Sequence, residues 1–186
     1  MNSSIPETIE TERLILRRPR IGDAREVFDR YAKDPDVTKY MSWPTHRSIE
    51  VTERVVEFWV EQWQGPKGGA YLITDRTTNK ILGSTGFDLM KPYVASTGYV
   101  LAKNEWGKGY ATEALAAIVE VARSDGTQRL FAYCHYEHQN SAHVLEKCDF
   151  EFEGRLRNYM EFPNLLPGEV SDVLLYAWVP SRSDQG

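Results

Sequence analysis

The sequence predicts an α/β (α+β) fold in which helices pack against one mixed sheet of about seven strands. Short stretches with apolar residues at alternate positions are interspersed with longer stretches whose apolar residues recur with helical spacing. The resulting order is β-α-α-β-β-β-α-β-α-β-β. The chain has 186 residues, of which 41% are hydrophobic and 12% aromatic, so we expect a single domain over 1–186 with a core at about 10–180.

The first half of the chain is predicted to form a strand, two helices and a hairpin. These elements are a strand over 12–18, helices over 21–34 and 48–63, and paired strands over 70–75 and 80–90. Asp34-Pro35 ends the first helix, because proline disfavours helical geometry in the residue before it. The residues of the second helix that are expected to face inward are Val51, Val55, Phe58 and Trp59.

The second half begins with the longest strand-turn-helix unit of the chain. The predicted elements are a strand over 94–103, a helix from 111, a strand over 128–136, a helix over 140–148, and strands beginning at 150 and 173. The apolar stripe of the first of these helices consists of Leu115, Ile118, Val119 and Ala122. The strand over 128–136 is apolar on both faces, which predicts a place inside the sheet. Asp149 is expected to end the last helix in a left-handed conformation.

Residues 104–109 join the central strand to its helix through a turn that contains Gly107 and Gly109. The N–H groups at a helix start have no intrahelical acceptor, and with the helix dipole they favour an anion such as phosphate. A P-loop requires Ser or Thr after its lysine, whereas Lys108 precedes a glycine. The dinucleotide pattern also lacks its third small residue in register. The turn therefore indicates another kind of phosphate ligand, or an ordinary β-α connection.

Two long segments resemble the GNAT family of N-acetyltransferases. Residues 98–115 resemble the family's acyl-CoA pyrophosphate loop, Arg/Gln-x-x-Gly-x-Gly/Ala, with Trp106 at the first position. Residues 138–150 resemble Asn-x-x-Ser-x-x-Val-Leu-Glu-Lys-x-Gly-Phe, a motif of the branch that contains the ribosomal-protein alanine N-acetyltransferases. The resemblance implies the GNAT fold, which is a mixed, mostly antiparallel sheet with helices on both faces.

The resemblance also implies acetyl-CoA as the co-substrate. The residues expected to hold its pyrophosphate are Trp106, Gly107, Lys108, Gly109, Tyr110, Ala111 and Thr112. Val100 and Leu101, on the central strand, are expected to bond pantetheine or the acetyl carbonyl through their backbone. His138 stands where the family has an asparagine that contacts pantetheine, and Asn140 is near enough to substitute for it.

Ser141 is the catalytic residue that the resemblance implies. Its hydroxyl would donate a proton to the leaving sulfur, although inward-facing serines on helices also bond to their own backbone. Many family members have a tyrosine four residues later, where this chain has Leu145. The carboxylate that much of the family carries on the central strand is replaced by Ser and Thr at residues 96–97. The remaining candidates for the base are Asp88, His135, Glu137 and a chain of waters.

The expected reaction is transfer of an acetyl group from acetyl-CoA to a primary amine. An α-amine with a pKa of about 7.8 is roughly one-third neutral at pH 7.5, against roughly 0.1% for a lysine at about 10.4. This difference is worth about 3 kcal/mol, and a site without an obvious base therefore favours a protein N-terminal α-amine. The alternatives are a small-molecule amine, such as an antibiotic or polyamine, and a non-catalytic acyl-CoA-binding module.

Composition argues against several other classes of partner. The net charge of −5 disfavours nucleic acid, which requires a basic surface. We expect no membrane association, because the chain shows no signal pattern and no apolar run of about 18 residues. Cys134 and Cys148 are expected to be buried thiols in a reducing cytoplasm. No metal is expected, because the histidine and cysteine spacing matches no zinc pattern. A monomer or a homodimer is compatible with the sequence.

Overall fold

The computed structural model describes residues 5–65 and 67–180, and these residues form one sheet covered by helices. The nine strands within them are β1 (Thr8–Glu10), β2 (Leu14–Arg17), β3 (Gly68–Asp75), β4 (Ile81–Lys91), β5 (Val94–Ser96), β6 (Tyr99–Leu101), β7 (Arg129–His135), β8 (Glu151–Glu161) and β9 (Val170–Trp178). Their order is β1-β2-β3-β4-β5-β7-β9-β8, and β6 pairs with β4. β5 and β7 are parallel, and the other paired strands are antiparallel. The prediction of a mixed, mostly antiparallel sheet is therefore confirmed.

The strand number exceeds the predicted seven for two reasons. The short strand β1 precedes the first predicted strand and pairs with it. The central strand predicted over 94–103 is divided into β5 and β6 by Thr97 and Gly98. The interior place predicted for the strand over 128–136 is confirmed, because β7 pairs with β5 on one side and β9 on the other.

The helices are α1 (Ala24–Val27), α2 (Pro35–Thr38), α3 (Ile49–Gln62), α4 (Tyr110–Asp125) and α5 (Gln139–Lys147). The helix predicted over 21–34 is irregular, with a 3-10 turn before α1 and a π-helical turn over Phe28–Ala32 after it. The sequence did not predict α2. Asp34 accepts a hydrogen bond from the Asp36 N–H at 2.9 Å, so Asp34-Pro35 ends one helix and caps the next.

The helices lie on both faces of the sheet, as the alternation along β3 shows. Tyr71 and Ile73 pack in the apolar cluster that contains α4 and α5, whereas Leu72, between them, packs with α1 and α3. The predicted stripe of α4 is buried in full. In α3 the predicted inward set is wrong, because the buried residues are Thr52 and Val56.

The α3 residues expected to face inward lie beside the core instead. Val51, Val55 and Trp59 are half-buried, and Phe58 is 57% exposed. Phe58 and Trp59 line a cavity, which accounts for apolar residues outside the buried stripe. Two smaller predictions are confirmed: Asp149 has a φ of 62° after α5, and Cys134 and Cys148 are free and buried.

Candidate active site

A cleft opens where the central strand is divided. β5 pairs with β7 through Ser96, and the Thr97 N–H still donates to the Phe131 carbonyl at 2.9 Å. Beyond this point β6 pairs with β4 and not with β7. The two strands separate, and a cavity of about 770 Å³ lies at the gap. A division of the sheet therefore positions the site, because it exposes backbone edges that a continuous sheet would pair.

The glycine turn lies between β6 and α4. Gly107 and Gly109 have φ values of 74° and 82°, a left-handed conformation that residues with a side chain adopt at a cost. Among the described residues, the N–H groups of residues 107–112 donate no hydrogen bond to a backbone acceptor. Six consecutive unpaired amides at the start of a 16-residue helix form a site suited to a phosphate or pyrophosphate.

Arg13, which immediately precedes β2, supports this turn from outside. Its Nη1 donates to the Lys108 carbonyl at 2.9 Å, and its Nε donates to Glu113 in the first turn of α4 at 2.7 Å. Thr11 Oγ1 donates to the same carboxylate at 2.6 Å. These bonds connect the N-terminal strand to the turn, so the turn has its shape before any ligand binds.

The Lys108 side chain points away from the amides. Its Nζ lies 2.9 Å from Glu105, which also pairs with Arg30 at 2.7 Å. Burial of Glu105 disfavours its charged form, but the hydrogen bonds from Lys108 and Arg30 together outweigh this and lower its pKa. Lys108 thus contributes to the turn through its backbone, while its ammonium neutralises a buried carboxylate.

The register of β6 decides which of its backbone groups face the cleft. The Ala102 N–H donates to the Leu82 carbonyl at 2.8 Å. Along an antiparallel pair of strands, only every second residue exchanges backbone hydrogen bonds with the neighbouring strand. The backbone groups of Val100 therefore point to Ser84 on β4, its partner in register. Those of Tyr99 and Leu101 point to the open edge, where the Leu101 carbonyl already accepts from Trp106 Nε1 at 2.9 Å. Val100 lines the cavity but directs its amide elsewhere.

Ser141 meets Tyr99 inside the cavity. The Tyr99 hydroxyl donates to the Ser141 carbonyl at 2.9 Å and lies 3.0 Å from its Oγ. Burial raises the pKa of Tyr99, so the phenol keeps its proton. Sequence reasoning missed Tyr99, although it shares a strand face with the buried Leu101. The predicted pantetheine contacts are separated, because His138 lines the cavity and Asn140 lies exposed on α5.

The opposite side of the cavity is lined by large side chains from separate segments. They are Tyr40, Met41, Trp43, Phe58, Trp59, Met90, Phe131, Tyr133, Tyr159, Met160 and Phe162. Asn164 holds two of these segments together. Its Nδ2 donates to the carbonyls of Thr38 and Trp43 at 2.7 and 2.9 Å, and its Oδ1 accepts from Thr45.

The structure separates the candidate bases. Asp88 lines the cavity, and burial raises the pKa of its carboxyl group. His135 is 3% exposed and stacks against Tyr40, and its Nδ1 accepts from the Glu137 N–H. Glu137 itself is exposed and does not line the cavity. Asp88 is the one carboxylate among the described cavity-lining residues.

The fold and the site are those of an acyl-CoA-dependent transferase, and the family comparison agrees with this class. The family model described as an acetyltransferase (GNAT) domain matches residues 13–151, and the chain belongs to the GNAT family. It is an N-acetyltransferase that uses acetyl-CoA. The predicted family, fold, enzyme class and co-substrate are therefore confirmed.

Individual relatives agree with this assignment. The chain is 31% identical to YoaA, an uncharacterized N-acetyltransferase of Bacillus subtilis, over 94% of this chain and 97% of YoaA. The structure of RimL, a ribosomal alpha-N-protein acetyltransferase, matches with a TM-score of 0.80, 25% identity and 94% coverage of each chain. The microcin self-immunity acetyltransferase MccE, solved with acetyl-CoA and AMP, has a similar fold, with a TM-score of 0.83, 24% identity and coverage of 94% and 97%.

The described residues offer neither a membrane-spanning helix nor a cluster of metal ligands. Over residues 5–65 and 67–180, no helix combines the length and the apolar character needed to cross a bilayer. Within the same ranges, no three side chains of His, Cys, Asp or Glu come together as potential metal ligands.

Proposed function

We propose that this N-acetyltransferase acetylates the α-amine at the N-terminus of a peptide or protein. The observation that carries the proposal is the weakness of the bases around the cavity. Asp88 is the carboxylate there, and burial and a neighbouring histidine lower the pKa of His138 to about 4. Such groups remove a proton more easily from an α-ammonium with a pKa of about 7.8 than from a lysine at about 10.4. The likeness to RimL supports the same acceptor class.

In this proposal the amides of residues 107–112 hold the pyrophosphate of acetyl-CoA. This segment consists of Gly107, Lys108, Gly109, Tyr110, Ala111 and Thr112, and Trp106 precedes it. The Tyr99 and Leu101 amides, at the open edge of β6, face pantetheine and the acetyl carbonyl, and His138 lines the same channel. All of these groups belong to one catalytic domain, which we propose spans the 186 residues.

Ser141 donates a proton to the departing sulfur, and Tyr99 supports it. The Tyr99 hydroxyl is within 3.0 Å of Ser141 Oγ, so it can orient the serine and return a proton to it. This pair takes the place of the tyrosine that many family members have where this chain has Leu145. Orientation of the two substrates in the cleft supplies much of the remaining rate enhancement, roughly 7–11 kcal/mol for well-aligned reactants.

A small-molecule amine is the second candidate acceptor. The large side chains opposite Ser141 close around a cavity, which suits a compact body as well as the first residue of a peptide. The likeness to MccE, whose structure contains AMP, favours this alternative.

The test is thiol release from acetyl-CoA with three classes of amine. One peptide carries a free N-terminus and no lysine, and its matched control is the same peptide with a blocked N-terminus and one internal lysine. Aminoglycosides and polyamines form the third class. We expect turnover of the first peptide only. Turnover confined to the lysine peptide or to the small amines would contradict the proposed acceptor.

A further inference from the structure

Asp88 lies on the face of β4 that is turned to the cavity. The β4 residues with even numbers, from Ser84 to Met90, all line the cavity. Phe87, between them, is buried in the cluster that contains α4 and α5. The Asp88 side chain therefore lies on the face of the sheet opposite to that cluster. Tyr99 lies on the other face, where it packs against the cluster. The two faces communicate through the division between β6 and β7.

The carboxylate leans towards that division. A Cβ added to Gly86 would lie 3.4 Å from Asp88 Oδ2, so the carboxylate extends over a residue without a side chain. The Gly86 carbonyl accepts a hydrogen bond from Thr97 Oγ1 at 2.8 Å, and Thr97 is the residue at which the central strand is divided. A group held by Asp88 above Gly86 would lie next to the gap through which the two substrates meet.

The Asp88 carboxylate is unpaired in the described part of the chain. No ion pair or side-chain hydrogen bond involves its carboxylate, whereas Asp23, Glu105 and Glu113 each bind an arginine. No lysine or arginine lines the cavity among the described residues. An ionised carboxylate that is partly removed from water without a partner is unfavourable, so a positively charged ligand fits this place.

We propose that Asp88 binds the ammonium group of the acceptor and accepts its first proton. The inference rests on the proposed function for the reaction, but not on the particular amine. Aromatic rings, including those of Phe58, Phe131, Tyr133 and Tyr159, line other parts of the same cavity. Rings of this kind stabilise a cation and pack against an apolar body. The acceptor class is therefore a primary ammonium next to an apolar group.

The proton balance of the reaction is simple. The ammonium gives one proton to Asp88, and the neutral nitrogen forms the N–C bond with the acetyl carbon while the C–S bond breaks. The sulfur takes a proton from Ser141. The second proton lost by the nitrogen passes through solvent to the Tyr99–Ser141 pair, and Asp88 releases its proton to solvent. One proton is released for each acetyl group transferred.

The first test compares Asp88→Asn, Asp88→Glu and a control, Asp29→Asn, whose surface carboxylate pairs with Arg25 and Lys33. We expect Asp88→Asn to lower kcat/KM for the amine by about 100-fold, as is usual when a proton acceptor is removed. The dissociation constant of acetyl-CoA should not change. Asp88→Glu should recover part of the activity, and Asp29→Asn should behave as wild type. Wild-type kcat/KM in Asp88→Asn would overturn the proposal.

A second test needs no turnover. Calorimetry in the presence of coenzyme A compares phenethylamine with 2-phenylethanol, which has the same ring but no charge. The wild type should bind the amine more tightly than the alcohol. Asp88→Asn should lose about tenfold or more in amine affinity, as for a charged hydrogen bond, and should bind the alcohol unchanged. Equal loss for both probes, or no loss for the amine, would overturn the role of the carboxylate.

The pH dependence of stability distinguishes a functional carboxylate from a structural one. The other titratable groups that line the cavity are Tyr40, Tyr99, Tyr133, Cys134, His138 and Tyr159. Phenols and thiols are uncharged at neutral pH, and the lowered pKa of His138 keeps it neutral there too. Burial raises the pKa of Asp88, so the folded state binds this proton more tightly than the unfolded state does. Protonation of Asp88 therefore stabilises the folded state at low pH, and this contribution is lost as pH rises through the raised pKa.

Asp88→Asn should therefore melt at a higher temperature than wild type at pH 7, by about 2–4 °C. The difference should vanish below pH about 4, where both states bind the proton. A lower melting temperature for Asp88→Asn at pH 7 would indicate a structural role and would overturn the proposal. The gain in stability also ensures that loss of activity does not reflect misfolding.

The outcomes also separate this inference from the proposed function. If wild type acetylates lysines or small amines but not peptide N-termini, the proposed acceptor is wrong. The role of Asp88 can still be tested by assaying Asp88→Asn with whichever amine the wild type acetylates. If peptide N-termini are acetylated equally well by Asp88→Asn and wild type, the acceptor stands and the role of Asp88 fails.

Discussion

On one side of the cleft the proposed binding groups are backbone amides from a continuous stretch, whereas on the other side they are side chains from separate segments. The cofactor side consists of β6, the glycine turn and the first turn of α4, residues 99–112. The acceptor side is assembled from the loop after α2, from α3, β4 and β7, and from the end of β8 with its following loop. Backbone recognition suits a co-substrate common to a family, and side-chain recognition suits an acceptor that differs among its members.

The largest expected effect tests whether the cofactor side depends on backbone conformation. Gly109→Val should weaken acetyl-CoA binding by about 100-fold, because losing two amide bonds to a charged phosphate costs about 3 kcal/mol. A valine cannot adopt a φ of 82° without strain. Calorimetric titration with acetyl-CoA measures the change.

Gly126→Val is the matched control for this substitution. Gly126 has a φ of 78° at the other end of the same helix, far in sequence from the turn. This variant should lose about 1–2 kcal/mol of unfolding free energy and keep its affinity for acetyl-CoA. Equal affinities in the two variants would show that the amides of residues 107–112 do not form the pyrophosphate site.

The second prediction concerns the place where the two sides meet. Ser141→Ala should lower kcat by about 30-fold, somewhat less than is common for a general acid, because water can replace the hydroxyl. Tyr99→Phe should have a smaller effect, and the double variant should be no worse than Ser141→Ala, since the two hydroxyls act as one unit. Steady-state kinetics at saturating substrate gives these values.

Tyr71→Phe is a suitable control for the Tyr99 variant. The Tyr71 hydroxyl is also buried on a strand and donates to a backbone carbonyl, that of Pro6, at 2.6 Å. Its removal should cost about 1 kcal/mol of stability and leave kcat unchanged. Independent, additive losses in Tyr99→Phe and Ser141→Ala would contradict a shared role.

The third prediction tests whether the acceptor side depends on contacts between loops. Asn164→Ala should raise the KM of the amine by about tenfold, because the loop of residues 38–45 loses its bonds to the loop after β8. The KM of acetyl-CoA should remain within about twofold. Thr45→Val, which removes one of these bonds, should show a smaller rise. Parallel increases in both KM values would mean that the two sides are not independent.

The smallest expected effect is that of a side chain on the cofactor side. Lys108→Gln should weaken acetyl-CoA binding by less than about threefold, because the half-exposed Lys108 ammonium pairs with Glu105, which keeps Arg30 as a partner. The contrast with Gly109→Val, one residue away, separates side-chain from backbone recognition. A loss above about tenfold that diminishes with added salt would indicate that the ammonium turns from Glu105 to the phosphates.

The elements that could be predicted are those whose evidence lies within a short stretch of sequence. The stripe of α4, the glycine turn before it and the left-handed Asp149 follow from local periodicity and local backbone preference. The inward face of α3 was not predictable in the same way. Its apolar residues serve both the core and the cavity, and spacing cannot distinguish a buried side chain from one that lines a cavity.

The groups proposed for proton transfer could be predicted from the sequence only in part. Ser141 follows from a motif, but Tyr99 reaches Ser141 only because α5 packs over β6. Asp88, His135 and Glu137 were equal candidates in the sequence. The register of β4 separates them, since a shift by one residue would turn Asp88 into the core and Phe87 into the cavity.

The sequence by itself determined the family, the co-substrate and the turn that is suited to hold its pyrophosphate, because these depend on glycines and a helix start that are adjacent in the chain. Only the tertiary structure decided which carboxylate faces the gap, which hydroxyl contacts Ser141 and which rings line the cavity. These groups come from elements far apart in sequence, and their separation depends on strand register and helix packing, which leave no short-range pattern in the chain.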